Sequence, residues 1–329
     1  MNSFVPTNQS DGIDRVREPD VSRETHGMTS SEGSEVEGDT PIAQQARVAM
    51  SVRGQSDETW PRPPGCRIVG IANQKGGVGK TTSTVNIAAS LAMHGNRVLV
   101  VDLDPQGNAS TALGMERGEG NRSIYHALVE DTEIRELVQP VTDIPNLWCV
   151  PATIDLAGAE IELVTLVARE SRLKRALSVY ESSELDYILV DCPPSLGLLT
   201  VNALVACDEV MIPIQCEYYA LEGLGQLLHN IELVKSHLNP SLSITTILLT
   251  MYDGRTRLAA QVADEVRQYF GELVLKTAVP RSVRVSEAPS YGQSVMTYDP
   301  ASTGALAHME AAREIAYRAE DAAAAEYGM

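Results

Sequence analysis

The stretch Lys75-Gly-Gly-Val-Gly-Lys-Thr-Thr82 leaves this chain few folds to choose from. Ahead of it, Arg67-Ile-Val-Gly-Ile-Ala72 is a short apolar run that predicts a buried strand. Behind it, Val85, Ile87, Ala88, Leu91 and Ala92 recur at helical spacing as far as Met93. A glycine loop between a strand and a helix is the setting that a phosphate-binding loop requires. Gly76, Gly77 and Gly79 carry no Cβ, so the backbone N–H groups of this loop, Val78 included, can converge on phosphate oxygens. The helix starting near Lys80 adds its unpaired N–H groups and the positive end of its dipole. Lys80 is placed to reach the β- and γ-phosphates of ATP, and the Thr81 hydroxyl to ligate Mg²⁺, with Thr82 closing the contact set. A ligand-free glycine turn would account for neither the lysine nor the hydroxyl.

Two further runs end in carboxylates. Arg97-Val-Leu-Val-Val101 reads as a strand buried on both faces and runs into Asp102-Leu-Asp-Pro-Gln-Gly-Asn108. Carboxylates at the C-terminal end of such a strand point into the crevice where α/β sheets bind ligands. Asp104 is expected at the γ-phosphate, polarising the attacking water and adding to the metal set, with Asp102 behind it. Tyr187-Ile-Leu-Val-Asp191 is the second run, and places the Asp191 carboxylate on Mg²⁺ through water. The expected metal ligands are therefore Thr81, Asp104 and Asp191. Catalysis is expected from Asp104 and Lys80.

Strand and helix patterns alternate along the rest of the chain. Helices are expected over Ser123–Leu137, Ala157–Ser178, Ala220–His237, Arg257–Phe270 and Ala305–Tyr317. Strands are expected over Leu147–Val150, Glu209–Ile214, Ile244–Met251 and Val274–Val279, with an irregular loop over Pro280–Pro289. That alternation implies an α/β fold: a mostly parallel, doubly wound sheet with helices on both faces. The bases Arg169, Arg172, Lys174 and Arg175 read as a solvated helix face, with DNA or partner contact as the alternative.

Residues 1–65 are of another composition: 11 acids, 6 bases, and Phe4 and Trp60 as the sole aromatics. Such a stretch buries too little to offset its ordering entropy and reads as a disordered acidic extension. Thr40–Met50 is a candidate short amphipathic helix, with Pro41 at a first helical position. The ATPase-type domain is expected over 66–318 and a short acidic, Ala-rich tail over 319–329. No apolar run reaches the roughly 18–20 residues that span a bilayer, and the polar start reads as no signal peptide. Five cysteines lack any pairing rhythm and suit a reducing cytoplasm. A net charge of −18 argues against nucleic acid unless the bases cluster.

The loop departs from the common phosphate-loop spacing, because Gln74 stands at the first glycine position and Lys75 lies inside. This deviant form resembles the ParA/MinD branch of P-loop ATPases. The segment Met251-Tyr-Asp-Gly-Arg-Thr-Arg-Leu-Ala259 and the run from Val279 to Ser290 resemble the chromosomal, Soj-type ParA proteins, and the similarity covers about 66–317. The resemblance implies a nucleotide-sandwich homodimer in ATP, with Lys75 reaching the partner's phosphates as a catalytic and binding residue. It implies a loop near Pro280 on the nucleotide base, and Arg255, Arg281 and Arg284 on double-stranded DNA without sequence preference. It further implies a ParB-type partner that stimulates slow hydrolysis and a cytoplasmic, nucleoid-associated protein. A polar scaffold protein is a further candidate partner. Ser282 departs from relatives that carry Asn after the Pro-Arg pair. Three rivals share the loop. A MinD-like membrane ATPase would need a basic amphipathic C-terminal helix, and this tail is acidic. An electron carrier would need cysteines that bridge a cluster. A small-molecule kinase or synthetase has no substrate signature here.

Overall fold

Alternation along the strands decides the layers of the molecule. The structure, a computed structural model, describes residues 41–54, 59–116, 120–180, 185–218 and 224–327. In chain order the first half holds α1 (Pro41–Val52), β1 (Arg67–Ile71), α2 (Lys80–Met93), β2 (Val98–Asp102), α3 (Asn108–Ala112), α4 (Ile124–Val129), β3 (Gln139–Pro140), β4 (Leu147–Val150), α5 (Leu156–Leu163) and α6 (Arg172–Tyr180). The second half holds β5 (Tyr187–Asp191), α7 (Leu198–Ala206), β6 (Glu209–Gln215), α8 (Leu224–His237), β7 (Ser243–Tyr252), α9 (Arg257–Phe270), β8 (Val274–Pro280), α10 (Val283–Glu287), α11 (Val295–Tyr298) and α12 (Thr303–Tyr327). The eight strands form one sheet in the order β3-β4-β2-β5-β1-β6-β7-β8. Every pairing is parallel except β3 with β4, the short antiparallel edge.

Each central strand feeds two cores. Leu99, Val101, Ile188 and Val190 enter one, whereas Val98, Val100, Tyr187 and Leu189 enter the other. That is why these strands read as unbroken apolar runs: both faces are covered. α2, α11 and α12 pack on one face with Leu91, Val295 and Ala312, while Leu173 of α6, Leu199 of α7 and Leu227 of α8 close the other. β1 lies between β5 and β6, so the chain leaves it toward one side through β2 and returns to the other through β6. The crevice at such a switch point opens at the C-terminal ends of the strands. The Lys75–Thr82 loop begins there.

Four expectations change. The helix expected over Ser123–Leu137 stops at Val129, because Asp131 adopts φ 58° and turns its carboxylate to Arg172 and Arg175. The long helix over Ala157–Ser178 is two helices. Between them Ala168 sits at φ 53°, and Asn202 pins the turn by donating to the Arg169 carbonyl at 2.8 Å while accepting from the Leu173 N–H. Arg172 is consequently buried, donating to the Leu128 carbonyl at 2.7 Å, and does not belong to a solvated face. The Pro280–Pro289 loop contains α10, a single turn-and-a-half of helix.

The packed body also takes in residues ahead of Cys66. Val52 of α1 is fully buried, and the Trp60 ring stacks on His94 at 3.8 Å between centroids and 7° between planes. The two ring nitrogens of His94 lie 2.8 Å from the Ser90 carbonyl and 3.0 Å from the Ser51 carbonyl, joining α1 to the end of α2. One large aromatic in a polar stretch therefore marks packing that composition alone hides. Residues 1–40 and the last two of the tail lie outside the described residues. Trp60→Ala is expected to lower the free energy of unfolding by about 3 kcal/mol, within the range for emptying a buried aromatic site. Urea unfolding of the full chain checks this, and an unchanged midpoint would place Trp60 outside the cooperative unit.

Candidate active site

The loop holds its shape before any ligand arrives. Gly77 and Gly79 sit at φ 73° and 90°, in the left-handed region where a Cβ is strained, and Gly79 is the residue that starts α2. A Cβ built on Gly76 or Gly77 meets nothing within 4 Å, so both face open space. Neighbouring strands brace the backbone. Asn73 accepts from the Lys75 N–H at 3.0 Å and donates to the Pro213 carbonyl at 2.7 Å, and Thr250 donates to the Val78 carbonyl at 2.8 Å. Lys80 is nearly buried, and its Nζ donates to the Lys75 carbonyl at 3.2 Å. Burial lowers the pKa of Lys80, opposed by the nearby carboxylates Asp191 and Asp104.

Three carboxylates stand beside the loop. β2 and β5 pair Asp102 with Asp191 in register. Thr81 and Thr84, one turn apart on α2, donate to the two oxygens of Asp191 at 2.7 and 3.1 Å. Asp102 accepts from the Ser110 N–H at 2.8 Å, the Ser110 hydroxyl at 2.6 Å and the Asp104 N–H at 3.1 Å. Asp104 is 7% exposed, accepts from the Gln106 N–H at 3.0 Å, and lines a cavity of about 540 Å³ with Gly76, Lys80 and Thr81. Burial pushes both Asp102 and Asp191 above the ordinary carboxylate range; Asp102 raises Asp191 further, and Asp104 raises both. The site thus concentrates negative charge behind the loop and offers N–H groups and one ammonium in front.

Oxygen donors of this kind suit a hard divalent cation. Because Thr81 gives its proton to Asp191, its lone pairs stay free toward the cavity it lines. Among the described residues no group of three or more His, Cys, Asp or Glu is gathered to hold a metal without further ligands. The protein donors therefore fit a magnesium ion that takes its remaining ligands from phosphate and water.

Of the expected site residues, Gly76, Gly77, Gly79, Lys80, Thr81, Thr82 and Asp104 line this cavity, whereas Lys75 and Val78 belong to the same loop and do not line it. Asp191 reaches the cavity only through Thr81. Pro280 lines instead a smaller cavity of about 80 Å³, which shares Gly79, Thr82, Met251, Val285 and Ser286 with the larger one. Sequence reasoning missed Thr84, Ser110, Asn73 and Thr250; the i, i+3 spacing of Thr81 and Thr84 was the available signal for the first. Of the three arginines expected on DNA, Arg281 lines the smaller cavity, and Arg255 and Arg284 line neither. Arg255 sits in the β7–α9 turn, its side chain 90% exposed and paired with Asp253 at 2.8 Å. Arg281 pairs with Glu217 at 3.2 Å, and Arg284 on α10 with Glu287 at 3.1 Å and Asp299 at 3.3 Å.

A family model described as an AAA domain matches residues 66–244, over half of the chain. The sporulation initiation inhibitor protein Soj of Bacillus subtilis is 55% identical over 250 residues, 76% of this chain and 98% of its own length. The chromosome partitioning protein ParA of Myxococcus xanthus is 54% identical over 252 residues, 77% of this chain and 88% of its own. The chain belongs to the ParA/Soj family of P-loop ATPases. Among solved structures, cobyrinic acid a,c-diamide synthase from Mycobacterium smegmatis, with bound ADP and magnesium, superposes with a TM-score of 0.65 at 39% identity. That likeness covers 75% of this chain and 92% of the other. The match to the family model begins at residue 66, so α1 and the buried Trp60 precede the matched stretch.

Raised carboxyl pKa values carry a sign. The folded state keeps protons on Asp102 and Asp191 that the unfolded chain has lost, so stability falls as pH rises from about 4, the ordinary carboxylate value, through the raised values. Asp191→Asn in the nucleotide-free protein is expected to flatten that fall. Melting temperatures of both proteins across the same pH range test it, and parallel curves would remove the buried pair as the cause.

Proposed function

We propose that this chain is an ATP-dependent switch for chromosome or plasmid partitioning. ATP and Mg²⁺ bind at the 75–82 loop, two chains close across Lys75, and the dimer holds double-stranded DNA through Arg255, Arg281 and Arg284. In this reading Lys80 neutralises the β- and γ-phosphates, Thr81 and Asp191 would hold a magnesium ion that would supply further positive charge there, and Asp104 orients the attacking water and takes up its proton. Asp104 is the one carboxylate of the three that lines the cavity, which is consistent with slow turnover until a ParB-type partner completes the site. Hydrolysis then releases the dimer from the nucleoid.

The observation that carries the reading is the position of α10. Val285 and Ser286 on this helix line the nucleotide cavity, while Arg284 between them and Ser282 is exposed. A ligand in the cavity therefore touches the element that presents a DNA-binding arginine. Duplicating a weak basic patch by dimerisation multiplies its affinity without new contacts, which answers the strongly acidic net charge.

A second reading, small-molecule synthesis on the same loop, is favoured by the likeness to the diamide synthase. DNA retention separates the two. Wild type is expected to be retained on DNA in ATP and not in ADP, with a steep loss at rising salt. Arg284→Glu is expected to weaken retention about tenfold or more and to flatten the salt slope. Absence of retention in every nucleotide state would reject the partition switch and leave synthesis standing.

The role assignments have their own test. Lys80→Ala should lose ATP binding, whereas Asp104→Ala should keep it, lower turnover by about a hundredfold and stay on DNA. Equilibrium ATP binding and steady-state phosphate release check both. Turnover at the wild-type rate in either variant would reject the assignments.

A further inference from the structure

One buried amide joins the helix of the phosphate loop to the far wall of the large cavity. Asn86 lies one turn beyond Thr82 on α2 and is 3% exposed. Its Nδ2 donates to the Thr82 carbonyl at 2.8 Å, and its Oδ1 accepts from the Val295 N–H at 2.9 Å. A carbonyl only accepts and an N–H only donates, so these two partners fix the orientation of the amide. Thr82, Asn86 and Val295 all line the cavity.

The grip is received by α11, a single helical turn. Two hydrogen bonds of its own, from the Tyr298 N–H to the Ser294 carbonyl at 2.9 Å and from the Asp299 N–H to the Val295 carbonyl at 3.0 Å, make the turn one unit. A shift of Val295 is therefore carried to its far end. There the Tyr298 hydroxyl donates to Glu287 at 3.3 Å, and Asp299 pairs with Arg284 at 3.3 Å. Glu287 also accepts from Arg284, at 3.1 Å. A continuous line of bonds thus runs from Thr82 through Asn86 and α11 to Arg284.

From these contacts we infer that Asn86 is the positioning residue that makes Arg284 answer to the nucleotide. Phosphates at 76–82 set the first turn of α2. Asn86 passes that setting to Val295, and α11 holds Asp299 and, through Tyr298, Glu287 in place around the guanidinium. The inference rests on the reading that ATP at the 75–82 loop switches on DNA binding through Arg284, and it adds the residue that couples the two sites.

The tie can be cut from either end. Asn86→Ala removes the amide. Val295→Pro removes the N–H, and proline suits this place: Val295 is the first helical residue, and Ser294 before it already has the extended backbone that proline requires, at φ −72° and ψ 158°. The dissociation constant for double-stranded DNA is measured for full-length wild type, both variants and the double variant, each at an ATP concentration that its own titration shows to be saturating. Each single change is expected to weaken DNA binding in ATP about tenfold. The double change should weaken it no more than the stronger single one, because the same bond is lost in all three. Losses that add in the double variant would overturn the inference. So would a lowered melting temperature with DNA affinity unchanged in both single variants, the mark of a merely structural amide. If neither variant folds, amide hydrogen exchange in the wild type decides. ATP should slow exchange at 82–86 and at 295–299 together, and a response at 82–86 alone would overturn the coupling. Wild type that binds ATP but is retained on DNA in no nucleotide state would instead reject the partition switch, and this inference with it.

Discussion

Two hydroxyl-to-carboxylate hydrogen bonds hold the site to the sheet. Thr81 and Thr84 of α2 grip the two oxygens of Asp191 at the end of β5. They fix the first turn of the helix against the middle of the sheet, where β5 lies between β1 and β2. Without that grip the start of α2, the loop glycines and the Lys80 ammonium would have no fixed relation to Asp102 and Asp104. The cost is negative charge in a dry place: burial, with repulsion from neighbouring carboxylates, pushes Asp191 and Asp102 toward their protonated forms. A phosphate chain with its cation supplies positive charge to that side and receives the N–H groups and the lysine on the other. The charge of a magnesium–nucleotide therefore complements the charge that these residues present.

The same economy runs outward from the crevice. α10 presents adjacent side chains to different surroundings: Val285 and Ser286 line the large cavity, and Arg284 is exposed. The three arginines are each paired with a neighbouring acid in this nucleotide-free chain. Exposed pairs of that kind are weak, about 1 kcal/mol or less, so phosphates of a DNA backbone can replace the carboxylates. At the opposite end of α2, His94 and Trp60 tie on a segment that precedes the stretch matched by the family model. One helix is thus anchored at its start by Asp191 and at its end by this segment.

Much of this was legible in the sequence, for physical reasons. Strands covered on both faces must be apolar throughout, so β1, β2, β5, β6 and β7 could be read within one or two residues of their ends. The loop could be read because left-handed backbone at Gly77 and Gly79 demands glycine. The illegible parts depend on distant partners. Nothing local announces that Asn202 will pin the turn at Ala168, that Asp131 will end α4 to meet Arg172, or that Ser110 will hold Asp102. Trp60 looked like an isolated aromatic in a polar stretch because its partner, His94, is 34 residues on in the sequence. The charge of Arg255, Arg281 and Arg284 was visible; their ion pairs were not. The roles proposed for Lys75 and the arginines come from resemblance and not from the geometry of a single chain.

The central claim is that a magnesium–nucleotide completes the charge balance of the Asp102–Asp191 pair. Its most direct test is the melting temperature of the full chain from about pH 5 to about pH 8, with and without magnesium–ATP. The account predicts that the nucleotide raises the melting temperature and that the gain widens as pH rises, since the ionised pair is destabilising only while the site is unfilled. A gain that is absent, or that stays constant across the range, would contradict it.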